Sequence, residues 1–349
     1  MASAEVVDRV RSIFDMAKSG NLAFATLVES LELFVGVGNI DLAVSLYLDW
    51  HGNVDANQRT STLRWTKLVD VLARINSGGQ SGHSVLPPPP ALTRWLAIEI
   101  GGKVYEYPDI TDPFFIEVLP KVSRHTITML DGAEAPWSLY KAVQYIVEHR
   151  IPGDLVECGV WNGGSVLLMA LALAHFGDTG RRIYLYDTFN GMSEPEDIDR
   201  EYSGMPAITE WESERAANPS GPNWGFGGTL EQVRDIVFSS GYPKENFVFV
   251  KGMVEETLPA GSPETVAILR LDTDFYASTY HELVHLYPLV SDGGVVIIDD
   301  YGYFQGSRIA TDQYLDEIKA PLFLSRVNES VRLAIKPWGG SGRVPRSNE

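Results

Sequence analysis

Hydrophobic residues recur at helical spacing through the N-terminal part of the chain. A spacing of three or four residues places such side chains on one face of a helix. Gly38 followed by Asn39 is typical of one helix ending and the next beginning. The pattern therefore predicts an all-helical domain over residues 1–76. Its apolar series are Val6, Val10, Ile13 and Ala17; Leu27, Leu31 and Phe34; and Leu68, Leu72 and Ile75.

Residues 77–90 read SGGQSGHSVLPPPP and interrupt this pattern. Glycine and serine favour a flexible chain, whereas consecutive prolines favour a stiff, extended one. We therefore predict a linker over 77–90, followed by a second domain over residues 91–337 and a tail over 338–349.

The second domain shows short β-rich runs, each followed by a helical stretch. Strands that alternate with helices predict an α/β fold with a doubly wound parallel sheet. In such sheets ligands bind outside the carboxyl ends of the strands, so the residues that follow the runs are the candidates for function. The runs are Leu155–Glu157, Ile183–Asp187, Phe247–Val250, Val266–Leu271 and Val295–Ile298.

Composition narrows the classes of partner. The 349 residues include 28 Lys and Arg against 46 Asp and Glu, a formal net charge of −18. Such an acidic chain is not attracted to nucleic acid or to an anionic membrane surface. A single cysteine, Cys158, excludes an intramolecular disulfide and a zinc site made of cysteines alone. Without a secretory signal or a run of about 18 apolar residues, we expect a soluble, cytoplasmic protein. We also expect it to form a homo-oligomer.

A glycine-rich turn, Gly159–Ser165, follows the first run. Its spacing matches neither the dinucleotide fingerprint nor a phosphate-binding loop. Asp187 ends the second run, where doubly wound proteins place the carboxylate that binds a ribose diol. Together the two signals indicate an adenosyl ligand without a phosphate chain. Two alternatives stay open: a turn that binds nothing, and an Asp187 that only caps the turn after it.

Four aspartates follow the fourth and fifth runs, namely Asp272, Asp274, Asp299 and Asp300. Neighbouring parallel strands lie only ~4.8 Å apart, so these carboxylates repel one another unless a cation lies among them. Carboxylate oxygens favour a hard divalent ion such as Mg²⁺, Ca²⁺ or Mn²⁺. Solvated strand ends without a metal are the alternative.

The sequence His281-Glu282-Leu283-Val284-His285 fits a second metal motif, H-E-x-x-H. On a helix this motif can place two histidines and a glutamate at a zinc ion. No third histidine or acidic ligand follows at the required spacing, and Pro288 limits the helix. A zinc hydrolase is therefore an alternative that the spacing does not favour.

Residues 190–228 lack clear periodicity but carry Tyr202, Trp211, Trp224 and Phe226. Long segments of this kind are commonly lids. We expect a lid over the ligand crevice, with aromatic rings that stack on the substrate. The alternative is a surface excursion whose aromatic residues pack locally.

Several short stretches of the sequence, taken together and in their order along the chain, resemble the macrocin O-methyltransferase family. The resemblance covers about Thr126–Lys336 and leaves residues 1–90 outside. It departs from the family at Thr273, where glycine is commoner, and at Ser307–Arg308, where the family has a cysteine-arginine pair. The matching strings are Ile151–Ser165, Tyr186–Met192, Lys251–Gly252 with Thr257–Pro259, Leu269–Thr279 and Ile297–Gly302.

The resemblance implies a class I methyltransferase sheet and an enzyme whose cofactors are S-adenosylmethionine and Mg²⁺ or another hard divalent cation. Asp272, Asp299 and Asp300 match the family's metal ligands and Asp274 matches its general base, although Asp272 and Asp274 can exchange these roles. The cofactor-binding residues that it implies are Thr128, Met129, Glu157, Gly159, Val160, Ser165, Asp187 and Phe189.

The predicted function is therefore methyl transfer to a hydroxyl of a sugar or glycosylated natural product. A metal polarises the hydroxyl and an aspartate accepts its proton, because a sugar hydroxyl is too weak an acid to ionise at neutral pH. The predicted partner is a small hydroxylated molecule rather than a nucleic acid or a membrane. A non-catalytic protein that keeps the cofactor fold for binding or assembly is the alternative from another class, and the four retained carboxylates speak against it.

Overall fold

The computed structural model describes residues 4–54, 59–78, 86–90, 92–100, 102–126, 132–219, 224–319 and 322–339. The chain forms two compact units, Met1–Ile116 and Glu117–Glu349. Within the described residues, no helix combines the length and the apolar character needed to cross a membrane.

The first unit begins with the helices that the apolar spacing predicts. They are α1 (Ala4–Lys18), α2 (Phe24–Gly36), α3 (Ile40–Asn53) and α4 (Thr62–Gly78). Gly38 has a left-handed φ of 75°, and the Asn39 side chain accepts a hydrogen bond from the Leu42 N–H and so caps α3. The apolar faces meet in one core that includes Leu27, Leu31, Leu46, Trp50 and Leu68.

The first unit also contains a three-stranded sheet that the sequence pattern did not predict. Its strands are β1 (Arg59–Ser61), β2 (Thr93–Ile100) and β3 (Lys103–Tyr107), in the order β1-β2-β3. A three-residue strand is too short to show an alternating pattern. Residues 93–107, assigned to the second domain from the sequence, thus lie in the first compact unit.

The prolines of the predicted linker lie between two leucines that are buried in the first unit. Leu86 and Leu92, on either side of them, are buried in the core of the first unit. The Tyr47 hydroxyl donates to the Pro87 carbonyl at 2.9 Å. Burial of the two leucine side chains is favourable in free energy and holds the chain here. Residues 79–85 lie outside the described residues, and the independence of the two predicted domains stays a prediction.

The second unit contains the predicted doubly wound sheet of seven strands in the order β6-β5-β4-β7-β8-β10-β9. The first five of these strands are parallel, and β10 runs antiparallel to β8 and to β9. The strands are β4 (Asp154–Cys158), β5 (Ile183–Asp187), β6 (Phe247–Lys251), β7 (Val266–Leu271), β8 (Val290–Ile298), β9 (Ser325–Arg326) and β10 (Arg332–Ile335).

The remaining helices follow the strands as the alternating pattern predicts, with α5 running from the first unit into the second. They are α5 (Pro113–Val122), α6 (Glu134–Glu148), α7 (Gly164–His175), α8 (Ala207–Ala217), α9 (Leu230–Phe238), α10 (Val254–Thr257), α11 (Tyr276–Leu286) and α12 (Gln305–Glu317).

The sheet order places a crevice between β4 and β7. From β4 the chain builds β5 and β6 on one side, and it then returns to build β7 and β8 on the other. Loops on either side of such a reversal diverge and leave room for a ligand at the carboxyl ends of the strands. The turn Gly159–Ser165 and the aspartates after β7 and β8 both lie at this edge.

Candidate active site

One cavity at this edge is lined by all the predicted cofactor residues that the structure describes. These residues are Glu157, Gly159, Val160, Ser165, Asp187 and Phe189. Asp272 and Asp274 line the same cavity. Among its described lining residues none is lysine or arginine. Thr128 and Met129, also predicted to touch the cofactor, lie outside the described residues.

The glycine turn after β4 lets the chain pass close to the loop after β7. Gly159 has a φ of 78°, and a Cβ atom added there would collide with the Asp272 carbonyl oxygen. The Asp272 N–H in turn donates to the Cys158 carbonyl at 2.9 Å. Glycine at 159 therefore fixes the distance between the cofactor turn and the acidic loop.

Replacing Gly159 by alanine is expected to lower the free energy of unfolding by about 2–4 kcal/mol, because it combines left-handed strain with a collision against backbone. Gly177 is the matched control: its φ is 79°, but an added Cβ meets nothing within 4 Å. Gly177→Ala should lose only about 1 kcal/mol. Urea denaturation of both variants measures the difference, and equal losses would contradict the close approach.

Both carboxylate oxygens of Asp187 accept hydrogen bonds from backbone N–H groups. Its Oδ2 accepts from Val160 at 2.6 Å and from Trp161 at 3.2 Å, and its Oδ1 accepts from Phe189 at 2.6 Å. Burial raises its pKa, and these three bonds oppose the rise. The side chain thus ties β5 to the glycine turn and caps its own turn, as one of the two alternatives stated. Binding of a ribose by its remaining lone pairs stays a prediction.

Glu157 is buried at the end of β4, where it is 1% exposed. Its Oε1 accepts a hydrogen bond from Arg270 Nη1 at 2.5 Å. Its Oε2 is buried and has no hydrogen-bond partner among the described residues. Burial raises the Glu157 pKa to about 8 despite the arginine. A buried carboxylate oxygen without a partner fits a ligand that brings a cationic donor.

Arg270 is the functional residue that the sequence analysis missed. Its guanidinium, 2% exposed, binds Glu157 and Asp272 through Nη1 and Asp299 through Nη2, each at 2.5 Å. It thus joins the cofactor end of the cavity to the acidic loops. The signal was present, since Arg270 interrupts the otherwise apolar strand Val266–Leu271, and an arginine in a buried strand requires acidic partners.

The acidic group at the strand ends differs from the expected triad. Carboxylate oxygens of Asp272, Asp274 and Asp300 all lie within 4.8 Å of one another. Asp299 is not in this group because its Oδ1 faces Arg270. Asp300 Oδ2 is buried without a partner among the described residues. The structure therefore gathers Asp272, Asp274 and Asp300, with Asp299 beside them.

Burial raises the pKa values of two members of this group, Asp274 and Asp300. Burial raises the Asp274 pKa to about 7, against a lowering hydrogen bond with Asp300. Burial likewise raises the Asp300 pKa well above its ordinary value, and the nearby Asp274 raises it further. Asp274 also has a left-handed φ of 66°. Such backbone strain is often found at functional sites.

The histidines of the H-E-x-x-H motif do not build a zinc site with their glutamate. The rings of His281 and His285 lie 4.4 Å apart on α11. Glu282 is fully buried, with its Oε1 accepting from the Thr273 hydroxyl at 3.0 Å. Among the described residues the one group of three ligating side chains close enough to share an ion is the aspartate group. The zinc hydrolase remains without structural support.

The described parts of the segment 190–228 are packed beside the aspartates. Asp199 is buried and accepts from the Tyr276 N–H at 2.7 Å, and a β-bridge joins Glu201 to Phe304. Trp211 is buried, and Trp224 stacks on Phe275 at 6.1 Å. Gly225, Phe226, Gly227 and Gly228 line the cavity. Two of the four aromatic residues thus pack locally, while the segment also forms a wall of the cavity.

The sheet order and the cavity at its reversal define the class of protein: a class I methyltransferase fold. The solved structure titled "Structure of the O-methyltransferase NovP" has this fold; it is 27% identical, with a TM-score of 0.51 over 61% of this chain and 83% of its own. A sequence model of the Macrocin-O-methyltransferase (TylF) family matches residues 120–330, more than half of the chain. The chain belongs to the macrocin O-methyltransferase family.

Two relatives are named as O-methyltransferases. The 8-demethyl-8-(2,3-dimethoxy-alpha-L-rhamnosyl)-tetracenomycin-C 4'-O-methyltransferase of Streptomyces olivaceus is 36% identical over 173 residues, 47% of this chain and 59% of the relative. The Demethyldecarbamoylnovobiocin O-methyltransferase of Streptomyces niveus is 33% identical over 177 residues, 51% of this chain and 63% of the relative. The chain thus spans less than two thirds of the relatives that it matches.

Proposed function

We propose that this protein is an S-adenosylmethionine-dependent, divalent-metal-dependent O-methyltransferase that acts on a hydroxyl of a sugar or glycosylated natural product. One observation carries the proposal: a single cavity is lined by Glu157, whose buried Oε2 has no partner among the described residues, and by Asp272 and Asp274. A methyl donor and an acceptor hydroxyl must meet in one place for transfer to occur.

The cavity fits S-adenosylmethionine. Buried Glu157 Oε2 offers an acceptor for the ammonium of the methionine part. Five acidic residues, Glu157, Asp187, Glu255, Asp272 and Asp274, line the cavity, which suits a cofactor that carries positive charge. The turn at Gly159 allows a ligand to approach the backbone closely. We assign the ribose to the region of Asp187.

The aspartate group fits a hard divalent cation. Asp272, Asp274 and Asp300 offer oxygen atoms within 4.8 Å of one another, and one oxygen of Asp300 lacks a partner among the described residues. The raised pKa values of Asp274 and Asp300 reflect the cost of holding negative charge here without a cation. We assign Asp272 and Asp300 as metal-holding residues and Asp274 as the base. Asp299 would steady the group through Arg270.

In this proposal S-adenosylmethionine would supply the methyl group and leave as S-adenosylhomocysteine when its sulfur–methyl bond breaks, and a divalent cation held by Asp272 and Asp300 would make the acceptor hydroxyl more acidic. Asp274 accepts the hydroxyl proton as the new carbon–oxygen bond forms. Its carboxylate lies within 4.8 Å of those of Asp272 and Asp300, so a proton acceptor lies beside a hydroxyl held at the metal-holding residues. Arg270 holds Glu157 and Asp272 in place between cofactor and acceptor.

The acceptor class rests on the relatives, whose names specify sugar-bearing natural products. We propose a neutral glycoside, with a rhamnosyl group as the first candidate. A cytoplasmic location and self-association stay predictions from the sequence. A non-catalytic assembly role is the second candidate, but nothing in the cavity favours it.

Isothermal titration tests the proposal. S-adenosylhomocysteine should bind chelator-treated protein, and Mg²⁺ should bind it separately. Asp300→Asn should abolish Mg²⁺ binding and leave S-adenosylhomocysteine binding within about twofold, whereas Asp299→Asn should weaken Mg²⁺ binding less. No binding of S-adenosylhomocysteine by the wild type would refute the methyltransferase function. Loss of Mg²⁺ binding in Asp299→Asn but not in Asp300→Asn would refute the ligand assignment.

Metal binding should weaken as the pH falls through about 7. The metal is held by ionised carboxylates. The charge of Asp274, whose carboxylate lies within 4.8 Å of the metal-holding Asp272 and Asp300, strengthens this binding without direct ligation, and protonation of Asp274 sets in below its pKa of about 7, so Mg²⁺ competes with protons. One displaced proton makes the apparent Mg²⁺ affinity about tenfold lower at pH 6 than at pH 8. Titrations of Mg²⁺ at the two pH values measure this, with Asp274→Asn as the comparison that should show a smaller pH effect. A pH-independent affinity would show that these carboxylates do not bind the metal.

A further inference from the structure

Two large aromatic side chains lie exposed beside the aspartate group. Tyr202 is 71% exposed and Tyr303 is 40% exposed. Their ring centroids are 5.5 Å apart in an edge-to-face arrangement. Exposed aromatic rings that contact one another near a group of acidic side chains indicate a binding surface rather than core packing.

Tyr303 is held close to the aspartates by the backbone. Its N–H donates to the Asp300 carbonyl at 3.0 Å. Its ring contacts Phe304 at 4.9 Å, and Phe304 is buried against Phe275. The Tyr303 ring therefore packs on a buried residue, and Tyr303 lies three residues after a proposed metal-holding residue.

Tyr202 is brought to the same place by the packed part of the segment 190–228. The Gln305 N–H donates to the Arg200 carbonyl at 2.7 Å, and the Gln305 side chain donates to the Glu201 carbonyl at 3.0 Å. Together with the bridge between Glu201 and Phe304, these bonds fix the turn that carries Tyr202 next to Tyr303. The two rings reach this position from distant parts of the chain.

The charges around the two rings are acidic. The Tyr303 pKa is raised, and burial is the largest cause. The charges of nearby Glu201, Glu210, Tyr202 and Asp274 raise it further. In the described parts of the chain neither Glu201 nor Glu210 forms an ion pair, so their charges are not cancelled locally. The nearby Arg200 donates to the Gly204 carbonyl within its own turn. An acceptor that carries phosphate groups would meet unfavourable charge here.

We propose that Tyr202 and Tyr303 form the platform on which the sugar ring of the acceptor stacks, and that the surrounding acidic side chains select an acceptor without phosphate groups. This inference rests on the proposed methyltransferase function. It narrows the substrate to a finished neutral or aminated glycoside, and it excludes a sugar still attached to a nucleoside diphosphate. Three carboxylates outweigh the charge of one divalent ion, so a bound metal leaves this preference in place.

Binding of two matched probes to the full chain with S-adenosylhomocysteine and Mg²⁺ tests the proposal. The probes are p-nitrophenyl α-L-rhamnoside and thymidine diphosphate L-rhamnose, which share the sugar and differ in charge. The neutral glycoside should bind at least about tenfold more tightly. Tyr202→Ala and Tyr303→Ala should each weaken it about tenfold, whereas the phenylalanine variants, which keep the ring, should stay within about twofold.

Two further comparisons separate the platform from general effects. Phe323, 87% exposed, is the matched aromatic control, and Phe323→Ala should leave binding of the glycoside unchanged. The double variant Glu201→Gln with Glu210→Gln should reduce the preference for the neutral probe several-fold. S-adenosylhomocysteine affinity should be the same in all variants.

The outcomes are distinguishable. Equal or tighter binding of the nucleotide sugar, no effect of the alanine variants, or no binding of the neutral glycoside would overturn the platform. Failure of the wild type to bind S-adenosylhomocysteine would instead overturn the proposed function on which the platform rests.

Discussion

Arg270→Met should destabilise the protein by about 3–5 kcal/mol, because it removes the one cationic side chain that, in the described parts of the chain, pairs with this buried acidic group. The guanidinium binds Glu157, Asp272 and Asp299 at 2.5 Å each, and methionine of similar length replaces none of these bonds. Both Glu157 and Asp299 already have raised pKa values in the presence of the arginine. Without it, the buried carboxylates must take up protons or repel one another.

The loss should depend on pH in a defined direction. A carboxyl group whose folded-state pKa is raised binds more protons when folded than when unfolded, so it opposes folding increasingly as the pH rises. Arg270 lowers the pKa values of Glu157 and Asp299, so its removal raises both further, and Arg270→Met should lose more stability at pH 8 than at pH 5. Urea denaturation at the two pH values measures this.

Two companion variants test the cause of the loss. Arg270→Lys keeps the charge but cannot hold three carboxylates with one ammonium, so it should fall between wild type and Arg270→Met. Adding Glu157→Gln and Asp299→Asn to Arg270→Met removes the unpaired charges and should recover part of the stability. A loss below about 1 kcal/mol in Arg270→Met, or no recovery in the triple variant, would mean that the ion group does not carry this energy.

Asp274→Asn should lower kcat for methyl transfer by about 10²–10⁴, the usual contribution of a positioned general base. Asparagine is a suitable replacement because it tolerates the left-handed backbone of Asp274, whose φ is 66°. It keeps a hydrogen-bonding side chain of the same size but cannot accept the proton. S-adenosylhomocysteine affinity should remain within about twofold.

Titration with Mg²⁺ distinguishes loss of the base from loss of the metal. If Asp274 acts mainly as a metal ligand, excess Mg²⁺ will restore the rate; if it acts as the base, the rate stays low at saturating Mg²⁺. Asp316→Asn on α12, where the side chain is 81% exposed, is the control and should keep wild-type kcat. If kcat of Asp274→Asn at saturating Mg²⁺ lies within about fivefold of wild type, Asp274 is not the general base.

The second unit was readable from the sequence because its strands are long enough to show as apolar runs. All five predicted runs are strands, from β4 to β8, and the hydrophobic pattern of β7 persists because every residue of that strand is buried. The family motifs lie at the carboxyl ends of these strands, so pattern and resemblance indicated the same crevice. The sheet of the first unit was missed although β2 has eight residues, because β1 has only three and β3 mixes charged with apolar residues and has none that is buried.

The finer arrangement of the acidic residues was beyond the sequence because spacing does not specify which carboxylate an arginine takes. Asp299 and Asp300 are adjacent, yet one faces Arg270 and the other lies with Asp272 and Asp274. Asp187 shows the same limit, since its position at the end of β5 was clear but its three backbone hydrogen bonds were not. Such choices depend on distances that only the folded chain sets.

The aromatic residues of the segment 190–228 show a limit of another kind. Composition alone gave Tyr202, Trp211 and Trp224 the same expected role. In the structure Trp211 is buried and Trp224 stacks on Phe275, which leaves Tyr202 exposed. Its partner Tyr303 follows β8 and carried no signal of its own, because the contact joins residues distant in the sequence.

A crystal structure with S-adenosylhomocysteine and Mn²⁺, with the metal located by anomalous scattering, tests the central claim most directly. The account predicts Mn²⁺ bound by Asp272 and Asp300 with Asp274 adjacent, and the amino group of S-adenosylhomocysteine within hydrogen-bond distance of Glu157 Oε2. Manganese at His281 and His285, or S-adenosylhomocysteine outside the cavity between β4 and β7, would contradict it.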